Sequence, residues 1–122
     1  MPSHDLDQLA IERITTPEGF TVIRLAGFVT AKNTPALQAA IQQARGSKTI
    51  LDMAGVPYMD SSGLGALLAG YTGCQVHGGQ FVLASVVPRV RDLLQLTKVE
   101  PLFRIYNTPD DATQTLTKNT TT

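Results

Sequence analysis

Along Phe20-Thr21-Val22-Ile23-Arg24-Leu25 apolar and polar side chains alternate, the period of a strand. A second apolar stretch, Leu9 to Ile14, precedes it across the turn residues Thr15-Thr16-Pro17-Glu18-Gly19, which predicts two antiparallel strands. The period then changes. After Gly27, Asn33-Thr34-Pro35 sets a capping residue before a proline in the first turn, and Leu37, Ala40, Ile41 and Ala44 recur at helical spacing up to Gly46. Thr49-Ile50-Leu51-Asp52-Met53 favours a buried strand, with Val56-Pro57-Tyr58-Met59 as its exit. From Ser62 onward Leu64, Leu67, Leu68, Tyr71 and Cys74 share one helical stripe that stops at His77-Gly78-Gly79. Gly65, Gly70 and Gly73 each cost about 1 kcal/mol relative to alanine inside a helix, so this helix is expected to pack closely on its neighbours. Gln80 to Ala84 reads as a strand, Pro88 opens a helix carrying Val90, Leu93, Leu94 and Thr97, Leu102 to Tyr106 makes a last strand, and Thr108-Pro109-Asp110-Asp111 caps a final helix.

The order is ββαβαβαβα. Strands separated by single helices need crossover connections, so the expected fold is α/β: a mixed sheet, antiparallel in its first pair and parallel afterwards, covered by about four helices. No repeat, linker or charge run divides the chain, and residues 1–122 are expected to form one domain. Its ordered core should span about 8–114. Thr115 to Thr122 holds five threonines and one leucine, too little apolar surface to offset the entropy of ordering it, and is expected to be a flexible tail.

Composition narrows the functional classes. Hydrophobic residues make up 43% of 122, enough to bury a core without disulfides or metal. Ten Lys and Arg balance ten Asp and Glu, so recognition must come from a local patch and not from an overall field toward nucleic acid or anionic lipid. The single Cys74 forms no internal disulfide, no apolar run approaches the roughly 20 residues of a membrane span, and Asp5 and Asp7 stand where a signal sequence would be basic and apolar. A cytoplasmic protein is expected.

The chemistry concentrates in Tyr58-Met59-Asp60-Ser61-Ser62-Gly63-Leu64-Gly65, which places a carboxylate and two hydroxyls where a helix begins. The unpaired N–H groups and the dipole there favour an acidic or phosphorylated side chain by about 0.3–1 kcal/mol. On the residues alone, Asp60, Ser61 or Ser62 could serve simply as the N-cap, the commoner role for such residues. The layout as a whole, however, resembles the STAS domain of bacterial anti-sigma-factor antagonists. Leu51-Asp52 ends one strand, Met59-Asp60-Ser61-Ser62-Gly63-Leu64-Gly65 opens the helix, Gly78-Gly79 precedes the next strand, and Val90-x-x-Leu93-Leu94-x-Leu96-Thr97 follows it.

The resemblance covers nearly the full chain and carries a mechanism with it. It implies that Ser61, directly after the aspartate, accepts phosphate, with Asp60, Ser62, Gly63 and Thr30 as its surroundings. It also implies a non-enzymatic regulator of transcription: the unphosphorylated form binds an anti-sigma factor that is itself a serine kinase, frees the sigma factor, and is released on phosphorylation, with a phosphatase as a possible reversing partner. Cofactors are expected to be none, since ATP and magnesium belong to the kinase. Family members carry Leu-x-Gly-x-Leu-Asp where this chain has Leu25-Ala26-Gly27-Phe28-Val29-Thr30, so Thr30 replaces an aspartate near the acceptor loop, and Lys98-Val99-Glu100-Pro101 replaces a glycine after Thr97.

Other chemistries find less in the residues. A serine hydrolase needs an oriented base, and the histidines are His4 near the terminus and His77 at the far end of the serine-bearing helix; the Gly-x-Ser-x-Gly elbow is also missing. Cys74 on the apolar stripe reads as a buried small hydrophobe, and His77 as a residue of the helix C-terminus; two separated histidines and one cysteine give no zinc spacing. Arg89 and Arg91 without flanking aromatics read as a solvated helix face, so direct nucleic-acid binding is not expected. The alternative function is a STAS ligand or nucleotide module, or an accessory subunit of a transport or signalling complex, although the glycines do not match a P-loop.

Overall fold

The structure, a computed structural model, describes residues 8–44 and 46–120, the side chains of 118–120 excepted, so His4, Asp5 and Asp7 lie outside the described residues. In chain order the elements are β1 (Ala10–Thr15), β2 (Phe20–Ala26), α1 (Thr34–Gln43), β3 (Lys48–Gly55), α2 (Ser61–Val76), β4 (Gln80–Ala84), α3 (Pro88–Leu96), β5 (Ile105–Tyr106) and α4 (Pro109–Thr120). The five strands form one sheet in the order β1-β2-β3-β4-β5. β1 runs antiparallel to β2 and every later neighbour is parallel, the mixed α/β sheet that the sequence predicts.

Alternation along each strand divides the core in two. On one face Ile23, Leu25, Leu51, Met53 and Leu83 pack against Leu37 and Ile41 of α1, Leu67 and Cys74 of α2, and Val90 and Leu94 of α3. On the other, Phe20, Val22, Ile50, Val82 and Ala84 are covered by Ala112 and Leu116 of α4. β3 is therefore enclosed from both sides, and Thr49 to Met53 are all buried. A strand covered on both faces reads as an unbroken β-favouring run, which is how it stands in the sequence. β1 and β2 join through a tight turn in which the Gly19 N–H donates to the Thr16 carbonyl over 3.0 Å, with Gly19 at φ +89°.

Three local expectations change. β5 covers only Ile105–Tyr106, because Glu100–Leu102 form a helical turn and Phe103 turns inward to pack edge-on against Tyr71 and Phe81. The tail expected from Thr115 is helix through Thr120, with Leu116 only 2% exposed. Composition understated this end: a single leucine one helical turn after Ala112 is enough to close the second face of the sheet. Asn33 is the N-cap of α1 by position, but its side chain makes no capping hydrogen bond to the helix. Its Oδ1 accepts from the Thr30 N–H and its Nδ2 donates to the Phe28 carbonyl, bracing the loop before the helix.

The glycines of α2 also divide. A Cβ on Gly70 would lie 3.0 Å from Ile41 Cγ2 and 3.3 Å from Phe81 Cζ, so α2 approaches α1 and β4 more closely than alanine permits without adjustment. Gly65 and Gly73 face open space, and close packing explains neither.

Two substitutions test this placement. Leu67→Ala, at a side chain with no exposed surface, is expected to cost about 2–5 kcal/mol through a core cavity. Gly73→Ala should raise stability by about 0.5–1 kcal/mol, because a methyl group has room there and the helix gains propensity. Urea melts of the two variants should move in opposite directions from the parent.

Candidate functional site

The loops leaving β2 and β3 are tied together before either reaches its helix. The Val29 N–H donates to the Tyr58 carbonyl and the Asp60 N–H to the Val29 carbonyl, both over 3.1 Å, making an isolated parallel bridge between Val29 and Met59. Both bridging side chains are buried. Gly63 in the first turn of α2 lies over them, and a Cβ there would overlap Met59 Cγ and approach Val29 Cγ1 to 2.8 Å. The missing side chain lets the helix start sit directly on the joined loops.

Asp60 is the N-cap of α2, with extended backbone and Oδ1 accepting from the N–H groups of Ser62 at 2.9 Å and Gly63 at 3.2 Å. An aspartate at that position satisfies donors that have no partner inside the helix and places negative charge at the positive end of its dipole. Ser61 is the first helical residue and is exposed; Ser62 follows and is half-buried. Neither hydroxyl forms a hydrogen bond with a described residue. Of the three residues that could have capped the helix, Asp60 does so, and Ser62 contributes only its backbone N–H.

Asp60, Ser61, Ser62 and Gly63 are thus brought together at one end of the sheet. Thr30 belongs to the adjoining loop but faces its own turn: its Oγ1 accepts from the Lys32 N–H, and its carbonyl accepts from the N–H groups of Asn33 and Thr34 at the start of α1. A group not singled out in the sequence reading completes the surface. Phe28 and Tyr58, one on each loop, pack edge to face with centroids 5.6 Å apart, and Tyr58 is 39% exposed. An aromatic in a strand-to-helix connection was the available signal, but Phe28 and Tyr58 become neighbours only through the Val29–Met59 bridge.

The remaining chemical groups stand apart from the serines. His77 Nδ1 lies 2.9 Å from the Gly73 carbonyl at the C-terminal end of α2. A helix of 16 residues spans about 24 Å at about 1.5 Å per residue, so His77 cannot serve Ser61 or Ser62 as a base. Cys74 is fully buried, and burial pushes its thiol pKa up, with the Thr49 side chain opposing the shift. Arg89 and Arg91 are exposed on α3, and Arg91 Nε pairs with Glu100 Oε2 at 2.9 Å, as a solvated helix face would. No helix among the described residues is long and apolar enough to cross a membrane.

Comparison with known proteins adds a family to this geometry. The family model of the STAS domain matches residues 13–112. An anti-sigma F factor antagonist of Paenibacillus polymyxa is 29% identical over 93 residues, covering 73% of this chain and 80% of that protein. An anti-sigma factor antagonist from Mycobacterium paratuberculosis superposes with TM-score 0.78 at 26% identity, over 89% of this chain and 94% of that one. The unphosphorylated form of the anti-sigma factor antagonist SpoIIAA gives TM-score 0.75 at 23% identity, over 89% and 97%. A sulfate transporter family protein from Wolinella succinogenes gives 0.68 at 21%, over 81% and 84%. In the last two cases the likeness is one of fold.

The division of roles at the helix start is measurable. Asp60→Ala removes the acceptor for two N–H groups and should cost about 0.5–2 kcal/mol in urea unfolding. Ser62→Ala should stay within about 0.5 kcal/mol of the parent, since its hydroxyl bonds to nothing described.

Proposed function

Because the chain belongs to the STAS domain family, we propose that it is an anti-sigma-factor antagonist acting by partner switching, with Ser61 as the phosphate acceptor. In its unphosphorylated form it binds an anti-sigma factor that is also a serine kinase, and a sigma factor is freed. Phosphorylation of Ser61 dissolves that complex, and a phosphatase returns the protein to the binding form. The observation that carries the reading is the position of Ser61: exposed, first in α2, with a hydroxyl committed to no described residue and a backbone held by the Asp60 cap and the Val29–Met59 bridge.

The electrostatics favour a switch read outside the domain. Phosphate brings a charge of about −1.5 to −2 and three acceptor oxygens. Two of the helix-start donors, the N–H groups of Ser62 and Gly63, are already bonded to the Asp60 carboxylate, itself a like charge. A phosphate on the exposed Ser61 therefore finds these two donors taken and projects into solvent, or into a partner's surface, where it must be desolvated or repelled. A thousandfold loss of affinity requires about 4 kcal/mol, which one unpaired charge at an interface can supply. Nothing in the core has to move.

In this reading the domain is a substrate and not a catalyst, needs no cofactor of its own, and works in the cytoplasm without touching nucleic acid. The ligand-module alternative has less support. Open α/β sheets bind nucleotides where the strand order reverses, and the order here runs from β1 to β5 without reversal. The likeness to the transporter-family protein extends to the fold only.

The proposal is tested by incubating parent, Ser61→Ala, Ser61→Asp and Ser62→Ala with candidate kinases from the same cell and following phosphate incorporation and complex formation together. Ser61→Ala should bind the partner but take up no phosphate, so that ATP no longer weakens the complex. Ser61→Asp, with about half the charge of phosphate, should bind more weakly than the parent, and Ser62→Ala should behave as the parent. Phosphate incorporation into Ser61→Ala at the parent's rate would overturn the assignment.

A further inference from the structure

At the opposite end of α2 from Ser61 lies a notch of about 250 Å³ lined by Tyr71, Gln75, Phe81, Leu102, Arg104 and Leu116, among others. It exists because β5 is short. β4 is paired on that side only at Leu83 with Ile105 and Ala84 with Tyr106, so the edge of β4 at Phe81 has no strand beside it. Leu83 and Ser85 donate their N–H groups toward the β5 side, to the carbonyls of Arg104 and Tyr106, and Gln80 donates toward β3 through the Ser47 carbonyl. By the alternation of a parallel ladder the Phe81 N–H points the same way as those of Leu83 and Ser85, into the notch. α2 bounds the opening on one face of the sheet and α4 on the other.

The groups around this edge are suited to an extended chain with a negative charge. Arg104 takes part in none of the ion pairs among the described residues, and no Asp or Glu lines the notch. Tyr71 accepts a hydrogen bond from Gln75 Nε2 at 2.9 Å, which leaves its own O–H proton available to an acceptor. Leu102, 47% exposed, offers apolar cover. The volume falls below the roughly 300–1,000 Å³ usual for cofactor-sized ligands but suits a short piece of strand, and an exposed sheet edge is where strands add. From these observations we infer that the β4 edge at Phe81 is a docking site for an acidic extended segment of a partner protein, which pairs with the Phe81 backbone and sets a carboxylate on Arg104. Gln75 lies about 21 Å along the helix from Ser61, at about 1.5 Å per residue, so the site operates whether or not Ser61 carries phosphate.

The test is an amide NMR titration of the full chain with the acetylated, amidated pentapeptide Thr-Val-Glu-Val-Thr. Shifts should centre on Phe81, Leu102 and Arg104, and affinity should fall at least tenfold for Arg104→Gln and for the peptide with glutamine in place of glutamate. A peptide N-methylated at its central residue should lose binding, since a strand cannot then pair. Ser61→Asp should bind within twofold of the parent, which separates this site from the proposed switch. The inference is overturned if millimolar peptide shifts no resonance at the notch, if Arg104→Gln binds as the parent does, if glutarate alone matches the peptide, or if Ser61→Asp abolishes binding.

Discussion

Enclosure of β3 on both faces is the constraint on which the rest of the structure depends. Thr49 to Met53 cannot be buried from two sides unless helices cover both faces of the sheet, and β3 is flanked by parallel neighbours that only crossover connections can supply. Those crossovers bring the loops after β2 and β3 out at the same end of the sheet. The candidate site follows from that geometry, since Val29 and Met59 meet as the two loops leave adjacent strands.

At that end each polar group has a defined task. Asp60 binds the N–H groups of Ser62 and Gly63, Gly63 lacks the side chain that would hold α2 away from the loops, and Ser61 is left exposed. A capping carboxylate and a phosphate acceptor are often regarded as competing descriptions of such a segment. Here the two are compatible: Asp60 takes two of the donors, the neighbouring Ser61 hydroxyl has no bond to a described residue to lose, and charge added to it would act outward. Thr30, whose hydroxyl is engaged in its own turn, adds no charge to this surface.

α2 separates the two ends of the domain. Its buried side is held at Gly70, where Ile41 and Phe81 come close, while Gly65 and Gly73 stand open. Its first residue presents the exposed serine and its last turn borders the unpaired edge of β4. Two surfaces about 20 Å apart on one rigid helix can be occupied independently, which would suit a protein that exchanges one partner while keeping another.

Much of this was determined by the sequence alone. The change from a period of two to helical spacing, the turn at Thr16 to Gly19, the prolines in the first turns of α1, α3 and α4 and the Asp60 to Gly65 segment gave the element order, the mixed sheet and the helix start at Ser61, because they depend on local backbone preference and side-chain spacing. What the sequence left open was decided by contacts between residues distant along the chain. Asp60 becomes the cap only when the Val29 bridge sets its extended backbone, and Asn33 is diverted from α1 by the Phe28 carbonyl and the Thr30 N–H. Leu116 orders the last helix because the far face of the sheet is otherwise bare, and Phe103 shortens β5 because two aromatic rings draw it inward. The pairing of Phe28 with Tyr58 and the open edge at Phe81 depend on which strands and loops become neighbours, and residues about 30 positions apart give no local pattern by which that could be read.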